Sequence, residues 1–322
     1  MTRTQFIPEG DMCVKTDNIY DTIIVGGGPA GYTCALYCGR AGRSVLVIER
    51  RCPGGQISET NMVYNYPGFE SGISGIELGE KFKKSAEAFA AVTVVEEVQS
   101  LDLDGKIKVV HTDENMYLAR SIVIATGASH KRVNLVDSSN GAPIPINYCA
   151  TCDGALYAGG TVVVIGGGDS AVSEAMYLAG LCQTVILIHR RDKLRAAESL
   201  VHKAARNKNL EFILDSKVLA AREDREGRLA LLIEVGPEKQ TREIYCDGVF
   251  AAIGMTPETD LVKAVLDLDE TGYICADETT RTNLDGVFVI GDVRTKPLRQ
   301  VVTAVSDGAV CSRFIDEYLS KE

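Results

Sequence analysis

The chain has 322 residues, with 34 Lys and Arg against 44 Asp and Glu, a formal net charge of −10. Hydrophobic residues make up 45% and charged residues 24%, the balance of a soluble globular protein, which excludes disordered, collagen-like and coiled-coil chains. The acidity argues against a nucleic-acid or anionic-membrane binder, and no apolar run reaches the ~20 residues of a membrane span.

Met1 to Lys15 lacks the apolar core of a secretory signal, so a cytoplasmic protein is expected and residues 1–18 read as a tail. The first strand is Asp21 to Val25. It leads into Gly26-Gly27-Gly28-Pro29-Ala30-Gly31, an amphipathic helix, and a second strand, Leu46-Val47-Ile48, closed by Glu49. This is the opening βαβ of a dinucleotide-binding domain. Gly26 allows the tight turn, Gly28 lets backbone approach a pyrophosphate, and Gly31 packs helix on strand. Further on, Leu78, Phe82, Ala86 and Phe89 share a face of a helix expected over residues 76–91. Strand-like segments end in Ser121-Ile122-Val123-Ile124-Ala125-Thr126-Gly127.

The same βαβ then recurs. Residues 24–51 align without a gap on 164–191 at a constant offset of 140, placing Gly26, Gly28 and Gly31 on Gly166, Gly168 and Ala171. The second unit closes with Gly248 to Gly254. One more strand, Val287 to Ile290, precedes Gly291-Asp292 and a final helix from about Arg299. One strand and one helix cannot make a third domain, so they are expected to complete the first sheet. The fold class is therefore α/β: two Rossmann-like, three-layer dinucleotide-binding domains, the second inserted into the first. Residues 1–129 and 254–322 form one domain and 130–253 the other, joined by two strand-like links that permit a swivel.

The offset alignment also separates the two sites. Glu49 suits the ribose hydroxyls of an unphosphorylated adenosine, as in FAD or NAD. His189 takes its place in the second copy, beside Arg190 and Arg191 with Arg195 a turn further on, a set able to bind a ribose 2′-phosphate and so NADP. The competing reading of residues 189–195 is a solvated basic patch. Of the ten cysteines only Cys149 and Cys152 have C-x-x-C spacing, which in a reducing compartment means a redox dithiol or half a zinc site. A closed zinc site needs a second pair of ligands, and the sequence has no second C-x-x-C. Cys34 and Cys38, four apart on the first helix, read as small buried hydrophobes.

The run Cys149-Ala150-Thr151-Cys152-Asp153-Gly154 resembles the active site of low-molecular-weight, bacterial-type thioredoxin reductases. The likeness extends from about Ile19 through Gly54-Gly55-Gln56, Asn65-Tyr66-Pro67-Gly68, Thr126-Gly127, Gly166-Gly167-Gly168-Asp169-Ser170-Ala171, His189 to Arg195, Gly291-Asp292-Val293 and Arg299-Gln300-Val301. The resemblance implies FAD against Gly26, Gly28, Pro29, Ala30 and Gly31, with Glu49 at its ribose. Gly55, Gln56, Asn65, Thr126, Gly127, Gly291, Asp292 and Arg299, Gln300 and Val301 would line the flavin end. It implies NADPH as exchanging co-substrate at Gly166, Gly168, Asp169, Ser170, Ala171, His189, Arg190, Arg191 and Arg195. Cys152 would face the flavin, Cys149 would attack thioredoxin or a thioredoxin-like protein, and Asp153 would protonate the departing thiolate; Asp-Gly is equally a common turn pair. A homodimer with a rotating nucleotide domain is implied too.

Between Ser129 and Tyr148 the sequence departs from the family's usual acidic segment, which bears on partner choice. With no thioredoxin-like domain ahead of the first strand, the alkyl hydroperoxide reductase flavoprotein is disfavoured. With no redox tail after Glu322, Cys149 is expected to reach its partner directly. The alternatives are a same-fold reductase with another donor, such as ferredoxin, or another small disulfide partner, and a flavin-bound redox sensor without turnover.

Overall fold

A computed structural model describes residues 13–60, 62–224 and 228–321. The chain forms two compact units: the described residues up to Ser129 with those from Pro257 onward, and His130–Thr256.

In the first unit β1 (Cys13–Val25) runs into α1 (Pro29–Arg40), β2 (Val45–Glu49), α2 (Gly75–Glu87) and β3 (Val92–Val95). An antiparallel meander follows: β4 (Val98–Asp102), β5 (Lys108–Thr112) and β6 (Asn115–Ile124). β6 is long enough to serve two partners on one side. Its first half pairs antiparallel with β5 and its second half parallel with β16 (Val287–Val289), which lies before α6 (Val301–Leu319). The late strand thus completes the first sheet, in the order β3-β2-β1-β6-β5-β4 with β16 also on β6.

The strand alternation sorts the core onto two faces. Ile24, Val45, Val47, Val123 and Phe288 pack with α1 and α6, while Ile23, Leu46, Ile48, Ile122 and Val289 pack with Val110, Val262 and Ile274. Within the first face, Cys34 and Cys38 have sulfurs 4.0 Å apart and are fully buried, as is Cys311 of α6. Hydrogen bonding to Cys311 and Cys38, with burial, holds the Cys34 thiol well above its ordinary range.

Two expectations shift here. β1 begins at Cys13, so residues 13–18, read as tail, continue the strand beside β6, with Cys13 opposite Asn115 and a register shift before Ile19. Residues 1–12 lie outside the described residues. α2 stops at Glu87, because Ala90 turns back at φ 64°; Leu78 and Ala86 are buried as expected, but Phe89 is exposed.

The links to the second unit are β7 (Ala128–His130) and β15 (Met255–Pro257), which pair with each other. The second unit holds α3 (Ala150–Asp153), β8 (Thr161–Gly166), α4 (Asp169–Ala179), β9 (Thr184–Ile188), α5 (Glu198–Ala204) and β10 (Leu210–Ile213). After these come β11 (Ser216–Glu223), β12 (Leu229–Val235), β13 (Gln240–Cys246) and β14 (Gly248–Ala252). A parallel sheet β10-β9-β8-β14 is covered by α4 and α5 on one face and by the antiparallel sheet β11-β12-β13 on the other. The second βαβ motif therefore opens its own three-layer unit, as its repeat predicts.

Candidate active site

In the first unit the Gly-rich turn leaves β1 where glycine alone fits. Gly26 has φ 112°, and a Cβ on it would meet the Ala125 carbonyl oxygen at 2.3 Å; one on Gly31 would meet the Gly26 carbonyl oxygen at 2.0 Å. Gly28 caps α1 in extended geometry with Pro29 at the first turn, so the helix's free amides face outward, and a Cβ there would have nothing nearer than 4.0 Å. Glu49, buried at the end of β2, accepts from the Gly27 amide (2.7 Å) and the Arg51 amide (3.0 Å), which fixes its carboxylate against the turn.

The residues expected at the flavin end come from four segments of this unit. Gln56, on a short 3-10 turn, donates to the Ala128 carbonyl. Thr126 Oγ1 donates to the Glu258 carbonyl at 2.6 Å, and Gly127 has φ 75°. Asn65 Nδ2 donates to Gln300 Oε1 at 2.9 Å, and Gln300 also caps α6. Arg299 donates to the Asp292 and Arg294 carbonyls at 3.3 Å and lies 3.8 Å from the centre of the Tyr273 ring. Asp292 Oδ1 is buried without a hydrogen-bond partner among the described residues. Burial raises that carboxyl to about 6, against the pull of Lys296 and Arg299. An open phosphate-binding turn and an unanswered acceptor in one unit fit a flavin nucleotide.

The second unit repeats the turn with different chemistry. A Cβ on Gly167 would meet His189 Nδ1 at 2.1 Å, so the imidazole lies on the turn much as Glu49 does in the first copy. His189 is 5% exposed and its Nε2 has no partner among the described residues. Burial first, then Arg195, Arg191 and Arg190, hold its pKa below the ordinary value. The exposed arginines beside the imidazole supply positive charge at this turn. The Arg195 amide donates to the Gly167 carbonyl at 2.7 Å, and Asp169 accepts from the Ala197 amide at 2.8 Å, which folds the basic loop over α4. Ser170 is exposed and Ala171 buried. Beside Arg190 a hollow of about 240 Å³ is lined in part by Lys217 and Lys239.

Cys149 and Cys152 form a disulfide across the start of α3, with Cys149 at the N-cap. The amides of Cys152 and Asp153 both donate to the Cys149 carbonyl, at 3.2 and 3.1 Å. Two residues upstream, Asn147 is stitched to β14: its amide donates to Val249, its carbonyl accepts from Ala251, and its side chain reaches Tyr157 Oη at 3.0 Å. The redox turn is thereby anchored on its upstream side. Burial raises the Asp153 carboxyl, so it keeps a proton to higher pH than a free aspartate. Glu174 of α4, which sequence reasoning missed, is raised to about 7 by burial despite the opposing effect of the Ala150 amide. Two carboxyls with raised pKa thus belong to the unit that carries the disulfide.

Residues 20–308 match the family model described as pyridine nucleotide-disulphide oxidoreductase. The thioredoxin reductase of Bacillus subtilis (strain 168) is 40% identical over 311 residues, 96% of this chain and 97% of that protein. That of Peptoclostridium acidaminophilum is 39% identical over 309 residues, 94% of this chain and 98% of that one. This chain belongs to the thioredoxin reductases of that family. The crystal structure of thioredoxin reductase from Streptococcus pyogenes MGAS5005 is 40% identical, superposes with a TM-score of 0.86, and matches 94% of this chain and 99% of that chain.

As a thioredoxin reductase the chain is a disulfide oxidoreductase of a family that works with a flavin and a pyridine nucleotide. Among the described residues of the reductase no helix is long and apolar enough to cross a membrane. Besides Glu174, sequence reasoning missed Asp307, Arg294 and Lys296. Asp307 left one trace, an acid set in the apolar stripe Ala304, Gly308, Cys311, Ile315 of α6.

Proposed function

We propose that the enzyme carries electrons from NADPH through FAD and the Cys149–Cys152 pair to the disulfide of thioredoxin or a thioredoxin-like protein. Residues 1–129 with 254–322 are assigned to FAD, and 130–253 to NADPH and the dithiol. The observation that carries the reading is the contrast at one topological position: a carboxylate, Glu49, on the first Gly-rich turn, against His189 with Arg190, Arg191 and Arg195 on the second. A carboxylate accepts ribose hydroxyls and repels a 2′-phosphate, while guanidinium groups grip that phosphate. Bound flavin supplies a two-electron store between nicotinamide and disulfide.

The overall change is NADPH + H⁺ + protein disulfide → NADP⁺ + protein dithiol. The chain's own part begins with Cys149 as thiolate, which attacks one sulfur of the partner's disulfide; that bond breaks and a mixed disulfide forms. Asp153, whose carboxyl burial shifts upward, gives a proton to the departing thiolate. Cys152 then attacks Cys149 Sγ, its own proton passing to the partner's second departing sulfur, which releases the reduced partner and restores the Cys149–Cys152 bond. Gly26, Gly28 and the first turn of α1 hold the FAD pyrophosphate, Glu49 its ribose, and Gln56, Asn65, Asp292 and Arg299 to Val301 the flavin end. A cytoplasmic homodimer is part of the proposal.

Anaerobic addition of NADPH to the purified protein, followed at the flavin absorbance, tests the reading. Bleaching at low equivalents of NADPH, once the Cys149–Cys152 disulfide has taken its own pair of electrons, poor bleaching with NADH, and turnover of oxidised thioredoxin that needs both cysteines are expected. Flavin that stays oxidised with NADPH would overturn the donor assignment.

A further inference from the structure

Asp307 is an acid in the buried face of α6, and all its hydrogen-bonding capacity is turned toward the turn that carries Asp292. Its Oδ2 accepts from the Gly291 amide at 2.9 Å, from Arg294 Nε at 2.8 Å and from Lys296 Nζ at 3.0 Å; its Oδ1 accepts from Arg294 Nη2 at 2.8 Å. The Asp307, Arg294 and Lys296 side chains are 7%, 3% and 4% exposed. Arg294 also reaches the Thr295 carbonyl at 3.1 Å, and Lys296 the Thr303 carbonyl at 3.2 Å. Two buried cations thus share one carboxylate, Arg294 pairing also with the exposed Glu278 at 3.7 Å, and the neighbouring Asp292 keeps one oxygen, Oδ1, unanswered. Groups buried this completely are costly unless they are paired, and this set is paired in a way that also pins a functional turn.

We propose that Asp307 is a positioning residue for the flavin, and that with Arg294 and Lys296 it holds the Gly291–Asp292 turn and sets the charge beside the flavin. This rests on the assignment of that turn to the flavin end. Three separate ties to one carboxylate hold the Gly291 amide and with it the backbone of the turn that carries Asp292. A positive charge near a flavin favours the reduced form, which carries a negative charge once its N1 proton is lost. Lys296 therefore makes the flavin easier to reduce, and Asp307 makes it harder.

The test compares the Asp307→Asn, Lys296→Met and Asp292→Asn holoenzymes by two measurements: FAD release on dilution, followed by flavin fluorescence, and the flavin midpoint potential by dye equilibration. Asp307→Asn should weaken FAD binding about tenfold and raise the potential. Lys296→Met, which keeps the Asp307–Arg294 pair and so the fold, should lower the potential. A tenfold change in the ratio of affinities for oxidised and reduced flavin corresponds to about 30 mV. Packing alone would not move the potential in opposite directions. Weaker FAD binding in Asp292→Asn, with wild-type potentials in both other variants, would overturn this inference and leave the flavin assignment standing. Wild-type FAD retention in Asp292→Asn as well would overturn that assignment itself. If Asp307→Asn does not fold, the sign of the Lys296→Met shift decides the question: an unchanged or raised potential refutes the inference.

Discussion

Asp292→Asn should stabilise the flavin-stripped protein at pH 8 far more than at pH 4.5. Burial raises the Asp292 carboxyl from 3.8 to about 6, some two units. At 1.36 kcal/mol per unit this is about 3 kcal/mol of differential interaction between the two protonation states. The folded pKa lies above the unfolded one, so the folded state holds its proton more tightly. The contribution to stability is fully present below 3.8, declines between 3.8 and about 6, and is gone above that. Asparagine does not ionise and escapes the decline. The stability gap between variant and wild type should therefore widen by about 2 kcal/mol from pH 4.5 to pH 8, a relative Tm shift of about 4–8 °C for a unit of this size. Thermal unfolding of both flavin-stripped proteins in half-unit pH steps would measure it. A gap that does not change with pH would mean that Lys296 and Arg299 already compensate the folded carboxylate, and would refute the reasoning.

Gly31→Val should abolish flavin retention, because its Cβ would sit 2.0 Å from the Gly26 carbonyl oxygen; the ratio of flavin to protein absorbance after purification reports it. Joint replacement of Arg190 and Arg191 by alanine should raise the KM for NADPH about tenfold, or ~1.4 kcal/mol, with that for NADH unchanged; equal rises would refute the 2′-phosphate assignment. Cys152→Ser should still bleach with NADPH yet fail to reduce any protein disulfide, and residual turnover above background would contradict the relay. Asp153→Asn should leave bleaching intact and slow thioredoxin reduction, most at low pH where the wild-type carboxyl is protonated.

Features written in contiguous residues were the legible ones. Both Gly-rich turns, the strands around them and the return of Val287–Val289 to the first sheet could be read because local alternation and spacing carry them. Glu49 and His189 could be paired as counterparts because they end equivalent strands. Features that depend on burial were not legible. The pattern did not show that His189 is buried against Gly167. The Asp307 cluster joins an acid in mid-helix to cations in a loop 13 and 11 residues earlier, a meeting that only the packing of α6 produces. The extension of β1 back to Cys13 escaped for a related reason: residues 1–18 read as a tail, and the long β6 beside them supplies the pairing.

The placement of the remaining thiols bears on how such an enzyme survives its own chemistry. Among the residues whose side chains are described, Cys34, Cys38, Cys182, Cys246 and Cys311 are buried, while Cys52 and Cys275 are exposed. Cys34, Cys182 and Cys246 are also held above the ordinary thiol range, the last at about 12, and so carry almost no thiolate at neutral pH. Disulfide exchange needs both an anion and an open line of attack. If Cys149 makes and breaks mixed disulfides as proposed, this placement keeps most of the other sulfurs out of the exchange, so that turnover does not rewire the fold.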